Sequence, residues 1–182
     1  MSVLRFVSVT FAAIFMFTGQ AFAADPENML YLDLQGGRVV IEMRPDLAPK
    51  HVERMKTLAR LGFFDGTPIH RVIEGFMAQM GDPTGTGMGG SDLPDLQAEF
   101  NDAKHVRGVV SMARSQNPNS ANSQFFIMFG STPQLDGQYT VWGKVVEGMV
   151  HVDQIKRGRG RNGSVRQPDR IIQMRVAADV EE

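Results

Sequence analysis

Cysteine is absent from this chain. That excludes disulfides, a thiol nucleophile and any metal site built on thiolates. It also leaves nothing to mis-pair in an oxidising compartment. A charge excess is absent too: 19 Lys and Arg face 20 Asp and Glu, for a net charge of −1. No global field of one sign exists to attract nucleic acid or anionic lipid, so neither is expected as a partner. The one basic cluster is Lys156 to Arg161, with Arg157 and Arg159 inside it, and it reads as a solvated loop. Long hydrophobic runs are missing as well. Phe6 to Phe17 is apolar apart from Ser8 and Thr10, and it falls short of the roughly 20 residues a spanning helix needs. His51, His105 and His151 show neither metal-ligand spacing nor an acidic partner at a fixed offset. They read as surface or packing residues, and no metal is expected.

What is present describes one soluble domain. The length, 182 residues, suits a single domain that can bury a core without staples. The first residues read differently. Arg5 precedes the apolar stretch, Thr18-Gly19-Gln20 breaks it, and Ala21-Phe22-Ala23 supplies a small-x-small cleavage pattern. Residues 1–23 are therefore expected to be a signal peptide. The working domain would be residues 24–182, in the periplasm or another exported space and without stable membrane insertion after cleavage.

Along that domain, apolar runs at Met29–Leu34 and Arg38–Met43 flank Gly36-Gly37, a strong hairpin signal. Pro49 suits a first helical turn. Val52, Met55, Leu58, Ala59 and Phe63 recur at helical spacing, with Lys50, Glu53, Arg54, Lys56 and Arg60 opposite. The pattern predicts an amphipathic helix over Ala48 to Leu61, ended by Gly62. Short strands are predicted at Pro68–Ile73, Phe76–Met80, Gly108–Ala113, Gln124–Phe129, Thr140–Val145 and Arg170–Ala177, with a second helix over Gly148–Ile155. Many short strands with glycine-rich joints suggest a closed barrel covered by the helices.

Four segments, in order, carry a resemblance. They are Phe63-Phe64-Asp65-Gly66-Thr67-Pro68-Ile69-His70-Arg71-Val72-Ile73; then Gly75-Phe76-Met77-Ala78-Gln79-Met80-Gly81-Asp82-Pro83; then Ser111-Met112-Ala113-Arg114 with Asn122-Ser123-Gln124-Phe125-Phe126-Ile127; and Leu135-Asp136-Gly137 leading to Val141-Trp142-Gly143-Lys144-Val145. The ordered set resembles the cyclophilins, in particular the short exported bacterial ones, over about residues 29 to 178. The resemblance implies a mainly β fold: a closed eight-stranded antiparallel β-barrel capped by two α-helices. It implies cofactor-free catalysis of rotation about X-Pro bonds in proline-containing polypeptides, by a monomer. By matching position, Arg71 is the catalytic arginine and Gln79 the glutamine that orients it. Phe76, Met77, Phe126 and Leu135 form the proline pocket, with Tyr139 at its rim. His70 lines the pocket, and Ala113, Arg114 and Gln124 belong to the substrate groove.

The chain also departs from the family. Gln134 stands where the family's cyclosporin-binding tryptophan would be, Arg114 where many members have asparagine, and Tyr139 where a histidine is frequent. Trp142 matches a core aromatic instead. Other readings are weaker. Gly85-Thr86-Gly87-Met88-Gly89-Gly90 lacks the Lys-Ser/Thr of a phosphate-binding loop and reads as a mobile rim. A proline-peptide-binding chaperone or holdase with little turnover would keep the groove, but it would not need Arg71 paired with Gln79.

Overall fold

The computed structural model describes residues 25–181; the expected signal peptide and its cleavage point lie outside them. Strands β1 (Met29–Leu34) and β2 (Gly37–Met43) form the predicted hairpin. Its two loop residues are Gln35 and Gly36, one position earlier than the Gly-Gly pair suggested. Gly37 opens β2 at a φ of 139°, and a Cβ there would lie 2.6 Å from Nε2 of His151. Only glycine lets the hairpin tip approach that ring.

Helix α1 runs Pro49–Arg60, and Gly62 ends it at a φ of 65°. Phe63 N–H reaches back to the Leu58 carbonyl, the long closing bond of a glycine-terminated helix. Val52, Met55, Leu58 and Ala59 are buried as the spacing predicts. Arg54 and His51 are buried with them, which corrects the reading of Arg54 as outward-facing and makes His51 a packing residue, one of the two readings its sequence allowed. Both sit three or four residues from the apolar series and so share its face. Arg54 survives there by donating to the carbonyls of Pro94 and Asn122, at 2.6 and 3.2 Å.

The other strands are β3 (Arg71–Ile73), β4 (Met77–Met80), β5 (Val109–Met112), β6 (Phe125–Met128), β7 (Val141–Glu147) and β8 (Gln173–Val176), with a short helix α2 (Met149–Asp153). The eight strands make one antiparallel sheet in the order β3-β4-β6-β5-β7-β2-β1-β8. The expected full closure is not made by strand pairing: β3 and β8 are the two edges, and the sheet is an open half-barrel. The segment before β8 crosses the seam instead. It pairs Pro68 with Arg170 in an isolated bridge, and Ile69 N–H donates to the Asp169 carbonyl at 2.8 Å. Pro68 has no N–H with which to extend a ladder from β3.

Strand period two then divides the side chains. Ala78, Met80, Val110, Met112, Phe125 and Ile127 fill the interior, with Phe64, Phe125 and Trp142 stacked edge to face. The alternate residues Met77, Val109, Phe126 and Met128 form a second, smaller cluster on the outer face. That outer face holds the candidate site.

Candidate active site

Across β3, β4, β6 and β5 the register puts Arg71 opposite Gln79, Gln79 opposite Phe126, and Phe126 opposite Ser111. Arg71 and Gln79, eight residues apart in sequence, thus become cross-strand neighbours. Arg71 Nη1 donates to Gln79 Oε1 at 3.0 Å, and Gln79 Nε2 donates to Gln124 Oε1 at 2.8 Å. Gln124 Nε2 donates to the Gly89 carbonyl at 2.8 Å. From the other side, Arg71 Nε donates to the Asn162 carbonyl at 2.8 Å. The guanidinium is therefore fixed at two nitrogens, while Nη2 has no partner among the described residues.

Gly163 makes the second anchor possible. It takes a φ of 69°, and a Cβ would come within 2.8 Å of the Val72 carbonyl. The loop carrying Asn162 can lie against β3 only because that position lacks a side chain. Sequence reading missed Asn162, because a backbone carbonyl contributed from 91 residues away leaves no side-chain signature.

Beside the guanidinium is a cavity of about 220 Å³ lined by Phe76, Met77, Phe126, Leu135 and Tyr139, with Gln79, Ala113 and Arg114 completing the wall. Phe126 meets Tyr139 edge to face, with centroids 5.8 Å apart. Leu135 is held in a single-turn 3-10 helix, Pro133–Leu135. Burial lowers the proton affinity of Arg71, while Tyr139 nearby acts in the opposite sense. A guanidinium stays charged in proteins all the same.

Gln124, expected in the substrate groove, lines an adjoining groove of about 530 Å³. His70 is in neither lining. It precedes β3 and turns its ring under the glycine loop, where a Cβ on Gly87 would sit 3.6 Å from Nε2. Neither ring nitrogen of His70 has a hydrogen-bond partner among the described residues. Burial lowers its proton affinity, and the Asp82 charge only partly offsets this.

The glycine loop is pinned rather than loose. The Asp82 carboxylate, itself buried, accepts from Thr84 N and Oγ1, Gly87 N and Gly89 N. Burial works against that charge, but these bonds outweigh it and hold the carboxyl at about 2.

A Ser-His-Asp series also occurs. His105 Nδ1 lies 3.1 Å from Asp136 Oδ1, and its Nε2 lies 3.2 Å from Ser111 Oγ. It does not form a hydrolase site: Ser111 is fully buried and its hydroxyl donates to the Thr140 carbonyl at 2.8 Å. His105 stacks behind Phe126 at 6.2 Å and so braces the cavity wall. His105 and His51 do have acidic partners, Asp136 and Glu99, at sequence distances of 31 and 48 residues. No fixed-offset search reaches that far.

Three comparisons bear on this arrangement. A family model described as cyclophilin type peptidyl-prolyl cis-trans isomerase/CLD matches residues 29–176. A probable peptidyl-prolyl cis-trans isomerase of Brucella suis is 56% identical over 171 residues, covering 87% of each chain. The human peptidyl-prolyl cis-trans isomerase-like 3 is 43% identical over 125 residues, 66% of this chain and 77% of its own. Among solved structures, a cyclophilin from Hirschia baltica is similar with a TM-score of 0.77 and 28% identity, over 87% of this chain and 77% of its own. A Cryptosporidium parvum cyclophilin type peptidyl-prolyl cis-trans isomerase, solved in the presence of the dipeptide Ala-Pro, is similar with a TM-score of 0.76 and 30% identity, over 81% and 98%.

Proposed function

The chain belongs to the cyclophilin-type peptidyl-prolyl cis-trans isomerases and is an isomerase of that type, and from this premise we propose that Arg71 carries its chemistry. The X-Pro amide resists rotation because resonance gives its C–N bond partial double-bond character, with a barrier of roughly 18–20 kcal/mol. Uncatalysed exchange takes about tens to hundreds of seconds. No bond need break. The protein must bind the twisted amide more tightly than the planar one.

In the twisted amide the proline nitrogen regains a lone pair. A donor already aimed at that nitrogen stabilises the twist and not the ground state. The observation that carries the reading is the fixed fork: Nε and Nη1 of Arg71 are held by Asn162 and Gln79, leaving Nη2 without a partner among the described residues beside the cavity. The cavity takes the proline ring against Phe76, Met77, Phe126 and Leu135. Gln79 and Gln124 position the arginine. The step forms no covalent intermediate and moves no proton. The Ala-Pro dipeptide present with the Cryptosporidium relative supports proline-containing polypeptides as substrates here.

Arg71→Ala is expected to cut kcat/KM by at least ~10²-fold, about 2.7 kcal/mol at 1.36 per decade. Peptide affinity should change far less. Arg71→Lys should restore little, because an ammonium lacks the fork that Asn162 and Gln79 hold. A folded Arg71→Ala protein with wild-type turnover would remove Arg71 from the mechanism.

We further propose that the clients are exported polypeptides, on the strength of Ala21-Phe22-Ala23 after a short apolar run. Intact mass of natively expressed protein should correspond to a chain starting at Ala24. A mass that still includes Met1 to Ala23 contradicts export by cleavage.

A further inference from the structure

The proline cavity and the larger groove beside it share Gln79, Ala113 and Arg114. Arg114 forms the ridge between them. Its Cζ lies 4.4 Å from the centroid of the Tyr139 ring, on which the guanidinium rests. Nε and Nη2 donate to the Gln138 carbonyl at 3.2 and 2.9 Å, and Nη1 donates to the Ser115 carbonyl at 2.8 Å. A guanidinium has five N–H donors, so two remain free on a side chain already locked in place.

None of these acceptors is a carboxylate. That sets Arg114 apart from Arg38, Arg44, Arg60, Arg107, Arg157 and Arg175, each of which pairs with Asp or Glu. Arg71, the other cation on the cavity wall, likewise bonds only amide and carbonyl oxygens. The one acid lining the groove, Asp95, accepts from Asn122 and faces the charge of Arg54. Arg159 and Arg161, both exposed, stand in the loop that supplies the Asn162 carbonyl. The substrate therefore meets two held cations, Arg71 and Arg114, with no carboxylate paired to them among the described residues.

We propose that the enzyme favours prolines flanked, within two residues, by an Asp or Glu side chain, and that Arg114 is the specificity-determining residue that reads that carboxylate. The inference rests on the isomerase reading and adds a substrate class to it. An aligned guanidinium with free donors and an aromatic beneath it suits a planar carboxylate. Because it is already clamped, little side-chain freedom is lost when the carboxylate arrives.

The test is exchange NMR on peptides that differ only in Glu, Gln or Lys, placed two before, one before or one after the proline. Wild type should turn over the Glu peptide with kcat/KM at least about threefold above Gln at one of these positions, with Lys lowest. The gap should narrow at about 0.5 M salt, as screening requires. In Arg114→Gln the Glu/Gln ratio should fall to about one, and in Arg114→Lys it should lie between. Glu and Gln rates within twofold of each other at every position in wild type would overturn the proposal. So would a ratio that survives Arg114→Gln undiminished. Absence of turnover on every peptide would instead overturn the isomerase reading, and the preference with it.

Discussion

His70 neighbours Arg71 in the chain, yet its ring points under the glycine loop with both nitrogens unpaired among the described residues. Two consecutive strand-like residues face opposite ways, so the arginine looks into the site and the histidine away from it. Burial lowers the histidine's proton affinity, which keeps it neutral above its ordinary value near 6.5. It therefore does not change charge above about 6.5, and Arg71 stays charged throughout the working range. A nearly flat kcat/KM is expected between about pH 6 and 8.5. A log-log slope of one across that range, measured on a peptide without titrating groups, would return His70 to the chemistry as a proton carrier. Residue identities were readable here because the ordered segments match the family's, and the resemblance assigns Arg71, Gln79 and Phe126 to one site. The direction in which His70 turns was not readable, because burial depends on the loop that covers it.

Helix α1 illustrates the next scale. Its periodicity announces it, but its N-cap residue, Ala48, has no side chain able to cap. The missing acceptor comes from Glu99, whose carboxylate takes the N–H groups of Lys50 and His51 at 3.2 and 3.1 Å and lies 2.6 Å from His51 Nδ1. A carboxylate at that position also meets the positive end of the helix dipole. Glu99→Ala leaves two first-turn donors and a buried ring nitrogen without their acceptor. It should cost about 1–3 kcal/mol of stability by urea denaturation. Glu99→Gln should cost less, since its amide oxygen still accepts. A Glu99→Ala midpoint equal to wild type would show that water replaces the cap at no cost.

For the whole molecule, the buried histidines act together. His51, His70 and His105 are each held below their ordinary value, in every case chiefly by burial. The charges facing them, Glu99 at His51, Asp82 at His70 and Asp136 at His105, only partly offset that burial. As pH falls past about 6.5 the unfolded chain takes up protons that the folded one refuses. Stability is then full above that pH and declines below it, by up to about 1.4 kcal/mol per pH unit for each histidine. Nearer pH 4 the carboxylates of Asp33, Asp65, Asp82 and Asp153, all lowered in the fold, add losses of the same sign. Urea midpoints measured from pH 8 down to 4.5 should therefore drop steadily below about 6.5. An unchanged midpoint between pH 7 and 5 would mean that the histidines titrate alike in both states.

Local pattern was enough to place the strands and helix α1, because both periods leave their marks within a few residues, while most of the cavity wall was assigned by the family resemblance. Arg71 and Gln79 could be paired on paper because a short hairpin joins them. Distance decided the rest. The Asn162 carbonyl on Arg71, the Glu99 cap on α1 and the Asp136 partner of His105 are contributed from 91, 48 and 31 residues away. The open seam between β3 and β8 belongs with them, since strand character alone does not say which two edges meet. Such partners are chosen by how the sheet curls and where its loops land, and those are properties of the packed chain, which no stretch of it carries alone.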